Sequence, residues 1–254
     1  MTWNPQQYLK FGGERLRPAS DLIDHVPLES PGTIVDLGCG TGTVTALLSA
    51  RWPDARVTGV DNSAPMLERA RAALPDLRFD TADLARWSPR APVDLLLSNA
   101  ALHWLDDHET LFPRLVAHLA PGGVLAVQMP AQHRAPSHLI AYDLAESPPW
   151  RERLRGQVRR RPILEPEDYD AMLRPRVTSL DLWSTEYIHA LTGDNPVVEF
   201  TKGSFVGIWL SALTEDEARA FEADYRRAIA MAYPKRADGV TLFPFRRFFL
   251  VAKR

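Results

Sequence analysis

The run Asp36-Leu37-Gly38-Cys39-Gly40-Thr41-Gly42 follows a short β-branched stretch, Thr33 to Leu37, and precedes a segment of helical periodicity. Glycine turns the backbone through left-handed conformations without a Cβ penalty and lets it approach a ligand closely. Three glycines between a strand and a helix therefore predict a βαβ unit with a ligand crevice at the carboxyl end of the strand. The helix is expected from near Thr41, with Val44, Leu47 and Leu48 on one face and Pro53 marking its end.

From Thr33 to Pro130 the same alternation continues, and it predicts strands at Thr33 to Leu37, Arg56 to Val60, Leu77 to Phe79, Val93 to Ser98 and Val124 to Gln128. Each is short and apolar, as strands become when helices cover both faces of a parallel sheet. A second helix is expected after Ser63, an N-cap with Pro65 in the first turn. Another should run from about Asp107 to Leu119, burying Leu111, Leu115 and Leu119, with Pro121-Gly122-Gly123 turning into the fifth strand. Beyond Pro130 many Pro and Arg residues and weak periodicity suggest an insertion or mobile lid to about Pro175. A strand at Ser179 to Ala190, two or more helices from Pro196 to about Tyr233, and a last antiparallel strand at Phe245 to Ala252 complete the pattern.

The fold class is thus α/β: a Rossmann-like, doubly wound, mostly parallel seven-stranded sheet with an antiparallel last strand and a helical cap insertion. The expected parts are an N-terminal helical cap segment over 1–30, a cofactor-binding core over 31–130, a lid over 131–176, and a C-terminal completion of the sheet with helical cap over 177–254. A chain of 254 residues, 45% hydrophobic and 24% charged, can supply such a core.

A formal charge of -2 gives no reason to expect nucleic acid as a partner. No apolar run reaches the roughly 20 residues that span a bilayer, and residues 1–11 lack a secretory pattern, so a cytoplasmic location without a membrane partner is expected. The single cysteine, Cys39, cannot form an internal disulfide; in its glycine turn it is expected to pack against a ligand. No metal is expected, because His103, His108, His118, His133 and His138 have no cysteine or carboxylate partner at a ligand spacing. A monomer or small homo-oligomer is expected.

Three carboxylates mark successive strand ends. Asp61, about 20 residues beyond the glycine loop, can accept hydrogen bonds from both hydroxyls of a ribose. Asp36, just ahead of the first glycine, sits poorly beside a pyrophosphate and favours a cationic ligand. Asp83 is placed to bind an adenine amino group, although it and Asp36 could also brace loops or cap helices. The loop Ser98-Asn99-Ala100-Ala101-Leu102-His103-Trp104 after the fourth strand borders the same crevice, its carbonyls near Asn99 open to an ammonium group.

In order and spacing these residues resemble the class I S-adenosylmethionine-dependent methyltransferase family, from Thr33 to Gln128. The resemblance implies S-adenosyl-L-methionine as cofactor, S-adenosyl-L-homocysteine as product, and contacts from Asp36, Gly38, Cys39, Gly40, Thr41, Gly42, Asp61, Asn62, Met66, Asp83, Leu84, Asn99 and Ala100. Trp3-Asn4-Pro5, Tyr8-Leu9, Glu14-Arg15, Arg17-Pro18-Ala19, Asn99 to Leu105, Val124 to Pro130 and Phe243-Pro244 leading to Arg247 are similar to one branch of that family, the carboxyl methyltransferases that act on trans-aconitate.

This second likeness implies a small polycarboxylate acceptor and a monomethyl ester product. Arginine grips carboxylates bidentately and keeps its charge; Tyr8, Arg15, His103, Trp104 and one of Arg246 and Arg247 are the candidate acceptor-binding residues. No catalytic base is expected, because a carboxylic acid with a pKa of about 4 is already ionised near neutral pH. In-line transfer would rest on positioning and on exclusion of water. The arginines at 151, 153, 155, 159, 160 and 161 read more simply as a solvated face. Another small carboxylic acid as acceptor, a nicotinamide-dependent oxidoreductase, and a non-catalytic S-adenosylmethionine-binding protein stand as alternatives.

Overall fold

The computed structural model describes residues 12–158, 160, 163–203 and 205–254, the side chains of 12–15 excepted. In chain order the elements are α1 (Gly12–Asp24), β1 (Thr33–Leu37), α2 (Thr43–Arg51), β2 (Arg56–Asp61), α3 (Ala64–Ala73), β3 (Arg78–Thr81), β4 (Val93–Asn99), α4 (His108–Ala117) and β5 (Leu119–Pro130). Then follow α5 (Pro136–Ala145), α6 (Trp150–Arg153), α7 (Pro166–Leu173), β6 (Ser179–Thr192), α8 (Pro196–Lys202), α9 (Val206–Leu210), α10 (Glu215–Ala232) and β7 (Val240–Lys253).

The strands form one seven-stranded sheet in the order β3-β2-β1-β4-β5-β7-β6. Pairings from β3 through β5 are parallel and β5 pairs β7 antiparallel, as the sequence predicts. The strand order reverses between β1 and β4, which opens a crevice at their carboxyl ends, the usual ligand position in such sheets. Among the described residues no helix is long and apolar enough to cross a membrane.

Two compact units divide the chain. The first holds Leu16–Pro130, Ile163–Thr185 and Arg247–Arg254; the second takes in Ala131–Pro162 and Glu186–Arg246. In the first, Leu95, Leu96 and Leu97 of β4 are wholly buried, the run expected of a strand covered on both faces. Asp94 fastens β4 to the start of β1 by accepting from Gly32 N, Thr33 N and Thr33 Oγ1 at 3.0, 2.8 and 2.9 Å. In the second unit Trp150, Phe200, Phe221, Tyr225, Phe243 and Phe245 form a separate core. The long helix α10 begins there on a capping box, with Thr214 and Glu217 each satisfying the other's backbone N–H.

Several boundaries differ from expectation. The first loop's helix starts at Thr43 because Gly42 is left-handed, with φ 82°. Its buried residues are Thr45 and Leu48, whereas Val44 and Leu47 are half-buried. Helix α4 stops at Ala117, and Leu119 already pairs Val93; the ladder shifts and resumes at Leu95 with Val124. Pro121-Gly122-Gly123 is thus an excursion within β5. Weak periodicity between 131 and 175 conceals α5, α6 and α7, two of which carry proline in the first turn, at Pro136 and Pro166. The segment from Pro196 to Tyr233 contains α8, α9 and α10, and β7 starts earlier than predicted, at Val240.

Candidate active site

The glycine loop leaves β1 with Gly38, Gly40 and Gly42 at φ 80°, 54° and 82°. Gly38 N and Cys39 N both donate to Val60 O, at 2.7 and 3.1 Å, which binds the loop to the end of β2. At Gly38 a Cβ would stand 2.1 Å from the Cβ of Ala101, so the loop and the segment after β4 touch through bare backbone. The Cys39 side chain turns inward among Leu67, Ala70 and Phe79. Burial, with Asp36 and Asp61 adding to it, pushes its thiol well above the ordinary range. The thiol fills core space beside Gly59, where a Cβ would meet Sγ at 2.8 Å.

Asp61, half-buried, accepts from Gly40 N through Oδ2 at 2.9 Å and from Ser63 N through Oδ1 at 2.8 Å. Each carboxylate oxygen can accept a further bond, so the carboxylate is held in place with capacity left for a diol. Asn62 is exposed, Met66 half-buried, and Met66 Cε lies 3.6 Å from where a Gly40 Cβ would be. Thr41 is half-buried, its hydroxyl 3.3 Å from that of Thr43. Asp36 is buried, and Thr45 Oγ1 donates to its Oδ2 at 2.7 Å. Burial is the main reason its carboxyl is pushed up to about 7; the Thr45 bond opposes this and Asp61 adds to it.

Asp83 is exposed beyond β3 and accepts from Ala85 N through Oδ1 at 3.0 Å, leaving Oδ2 for another donor. Leu84, next to it, is buried, and its Cδ1 is 3.5 Å from the site of a Gly38 Cβ. Arg114 of α4 donates to Leu84 O at 3.2 Å and steadies this loop. Sequence reading missed that role, since an arginine on a helix gives no local sign of the loop it reaches.

After β4, Ala100 takes a left-handed conformation, φ 54°, and its N donates to Gln128 O at 2.9 Å. Leu102–Trp104 forms a 3-10 turn. His103 is half-buried, its ring centroid 4.7 Å from that of Trp104, which is 42% exposed. His108 is 3.0 Å from Leu102 O through Nε2 and 2.6 Å from the Tyr169 hydroxyl through Nδ1. A carbonyl only accepts, so Nε2 carries the proton and Nδ1 accepts from Tyr169. Burial lowers the pKa of His108 and supports that neutral form.

Neighbouring strands carry three more polar groups. Asn99 Oδ1 is buried without a hydrogen-bond partner among the described residues. Gln128 on β5 is wholly buried, and Arg247 on β7 is 4% exposed and donates from Nη1 to Gln128 Oε1 at 3.2 Å. Arg246, the alternative, is exposed and belongs to the other unit. Tyr8 lies outside the described residues; Arg15 falls within α1, its side chain likewise outside them. The arginines further along have carboxylate partners of their own: Arg153 pairs Glu217, Arg155 pairs Glu152 at 2.6 Å, and Arg160 pairs Glu146 at 3.0 Å. Arg159 and Arg161 lie outside the described residues.

The site's chemistry fits a nucleoside with a cationic tail: a braced carboxylate for a diol, a loop closed to side chains, a buried carboxyl beside it, and an unmet acceptor at Asn99. Comparison with known proteins agrees. A family model described as a methyltransferase domain matches residues 34–123. The trans-aconitate 2-methyltransferase of Azoarcus sp. (strain BH72) is 49% identical over 254 residues, covering 100% of this chain and 99% of that protein. The enzyme of the same name from Methylobacterium nodulans is 46% identical, with 99% and 98% covered. Among solved structures, the YcgJ protein from Bacillus subtilis superposes with a TM-score of 0.60 at 15% identity, covering 94% of this chain and 98% of that one. A Haemonchus contortus phosphoethanolamine N-methyltransferase 2 bound to S-adenosyl-L-methionine gives 0.58 at 15% identity, covering 97% and 56%. These last two likenesses speak to the fold alone.

Proposed function

The chain belongs to the trans-aconitate 2-methyltransferase family of S-adenosylmethionine-dependent enzymes, and on that premise we propose how its residues form a monomethyl ester of trans-aconitate. When bound, S-adenosylmethionine supplies a methyl group on a sulfonium centre, which a carboxylate oxygen of the acceptor takes in line.

Asp61 holds the ribose hydroxyls, its geometry set in advance by Gly40 N and Ser63 N. Asp83 takes the adenine amino group through Oδ2, with Leu84 beside the base. Asp36, buried behind the loop, answers the positive charge of the cofactor's tail, and Asn99 Oδ1 accepts from its ammonium group. Asn62, Met66, Thr41 and Ala100 complete the cofactor's surroundings. Tyr8, Arg15, His103, Trp104 and Arg247 receive the acceptor, with Arg247 preferred to Arg246 because it is buried and held by Gln128.

No side chain needs to remove a proton, since the acceptor is ionised at neutral pH. The work of the protein is to take a hydrated carboxylate out of water, compensate its charge with guanidinium groups and hold it at a near-attack distance. The observation that carries the assignment is that one unit holds both a glycine loop flanked by Asp36 and Asp61 and, on β7 beside β5, the buried Arg247. Acceptor selection draws on His103 and Trp104 within residues 34–123 and on Tyr8, Arg15 and Arg247 outside them. Methyl transfer from labelled S-adenosylmethionine to trans-aconitate, cis-aconitate, citrate and isocitrate, with mass identification of the product, tests the assignment. A trans-aconitate monomethyl ester is the expected principal product; cofactor binding with no transfer to any of the acids would overturn the reading.

A further inference from the structure

Gln128 interrupts the otherwise apolar interior of β5. Leu125, Ala126, Val127 and Met129 around it are as fully buried as it is. Methionine or leucine would fill the same space with no polar group to satisfy. The carboxamide is instead half-satisfied: Oε1 accepts from Arg247 Nη1, whereas Nε2 has no hydrogen-bond partner among the described residues. Such a group, buried in a native strand, requires a physical reason.

Strand register supplies the setting. Asn99 lies opposite Gln128 across β4 and β5, and Gln128 lies opposite Phe249 across β5 and β7. Side chains of paired residues project to the same face, and so does a residue two positions along. Asn99, Gln128 and Arg247 therefore form one polar stripe across three adjacent strands. Arg247 also fixes which way the amide faces. A guanidinium only donates, so the amide must turn Oε1 toward it and its NH2 group away. The outcome is an oriented pair of N–H donors beside a buried cation, which is the complement of a carboxylate.

We propose that Gln128 recognises a carboxylate of the acceptor, donating from Nε2 to one of its oxygens while Oε1 keeps the guanidinium of Arg247 aligned for the same anion. This rests on the reading of the acceptor as a small carboxylic acid. The cofactor's own amino-acid carboxylate has the same chemistry, so the test separates the two ligands.

Gln128→Met and Gln128→Glu are compared with the unaltered protein in three measurements: melting temperature, affinity for S-adenosylhomocysteine, and affinity of the S-adenosylhomocysteine-loaded protein for trans-aconitate and the other small acids by calorimetry. Gln128→Met is expected to keep the melting temperature and the S-adenosylhomocysteine affinity and to weaken acid binding about 10- to 100-fold, the worth of a hydrogen bond to a charged group. Gln128→Glu is expected to pair with Arg247, keep the fold, and weaken acid binding further by placing like charge against the acid. If Gln128→Glu does not fold, Gln128→Met decides. A folded variant with unaltered acid affinity, or one whose loss falls on S-adenosylhomocysteine alone, overturns the proposal. If the unaltered protein binds a different small acid and not trans-aconitate, the acceptor reading falls and Gln128 is measured with that acid. Binding of none of them overturns both.

Discussion

The hydroxyl of Thr45 donates to Oδ2 of Asp36 at 2.7 Å, with Asp36 1% exposed and Thr45 fully buried. Thr45 comes from α2 and Asp36 from β1, so the bond crosses the glycine loop and fixes the carboxyl behind it. It favours the charged form there against the larger effect of burial.

A pH dependence follows from that pair. The carboxyl is raised from an ordinary 3.8 to about 7, so between those values the folded chain binds more proton than the unfolded one. Stability therefore falls as pH rises through that window, and the full penalty is present above about 7. Thermal melts of ligand-free protein from pH 5 to 8 are expected to show this downward slope, and Asp36→Asn to lose part of it. Thr45→Val removes the opposing bond and is expected to carry the slope to higher pH. Identical profiles for the Asp36→Asn variant and the unaltered protein would contradict the assignment.

Gly38 and Gly122 separate backbone strain from crowding. Both have positive φ, 80° and 76°, but a Cβ on Gly38 meets Ala101 Cβ at 2.1 Å while one on Gly122 has nothing within 4 Å. Gly122→Ala is expected to cost about 1 kcal/mol of stability, the left-handed penalty alone. Gly38→Ala is expected to cost roughly 2–4 kcal/mol by adding overpacking against Ala101. Denaturant titration of the two variants reads the difference directly.

Substitutions at Asp61 and Arg247 are expected to divide cofactor from acceptor. Asp61→Ala releases Gly40 N and Ser63 N as well as the ribose, and should weaken cofactor binding about 10- to 100-fold while the acceptor KM changes little. Arg247→Ala should raise the acceptor KM by about the same factor, lower turnover, and leave cofactor affinity nearly intact. Arg246→Ala, an exposed change, should stay within about twofold in both. Equal effects of Arg246→Ala and Arg247→Ala on acceptor KM would remove the distinction between them.

His108 ties the turn at Leu102 to Tyr169, and Tyr169 in turn stacks on Phe248 at 5.1 Å between ring centroids. Burial holds the pKa of His108 below its ordinary 6.5. The stability tied to its neutral form is present above 6.5 and is lost as pH falls toward the depressed value. His108→Gln keeps a donor for the Leu102 carbonyl and cannot be protonated. Its stability and cofactor affinity are expected to vary less between pH 7 and 5 than those of the unaltered protein. A variant whose profiles in that range match the original would show that His108 does not report there.

Much of this molecule was legible because its determinants are local. Gly38, Gly40 and Gly42 mark backbone that must turn, and β-branched runs mark buried strands. Asp61 ends β2 and Asp83 follows β3, the positions that the strand pattern predicts for them. The helices of 131–175 were hidden because each is short and its burial depends on partners distant in sequence, such as the Tyr225 hydroxyl, which donates to Ser137 O at 3.0 Å. The surroundings of the Cys39 thiol were hidden for a similar reason: nothing beside it in sequence signals that it packs against Gly59 and Phe79.

The sequence by itself determined the α/β order, the cofactor loop and the chemical type of the site, since strand alternation, glycine and carboxylate placement act over a few residues. Only the tertiary structure decided which of two adjacent arginines is buried. Strand β7 exposes Arg246 and buries Arg247 according to its pleat and its pairing with β5. The same pairing decided that Gln128, polar within an apolar strand, meets Arg247 from 119 positions away. Register between distant strands is a collective result of packing, and no local pattern carries it.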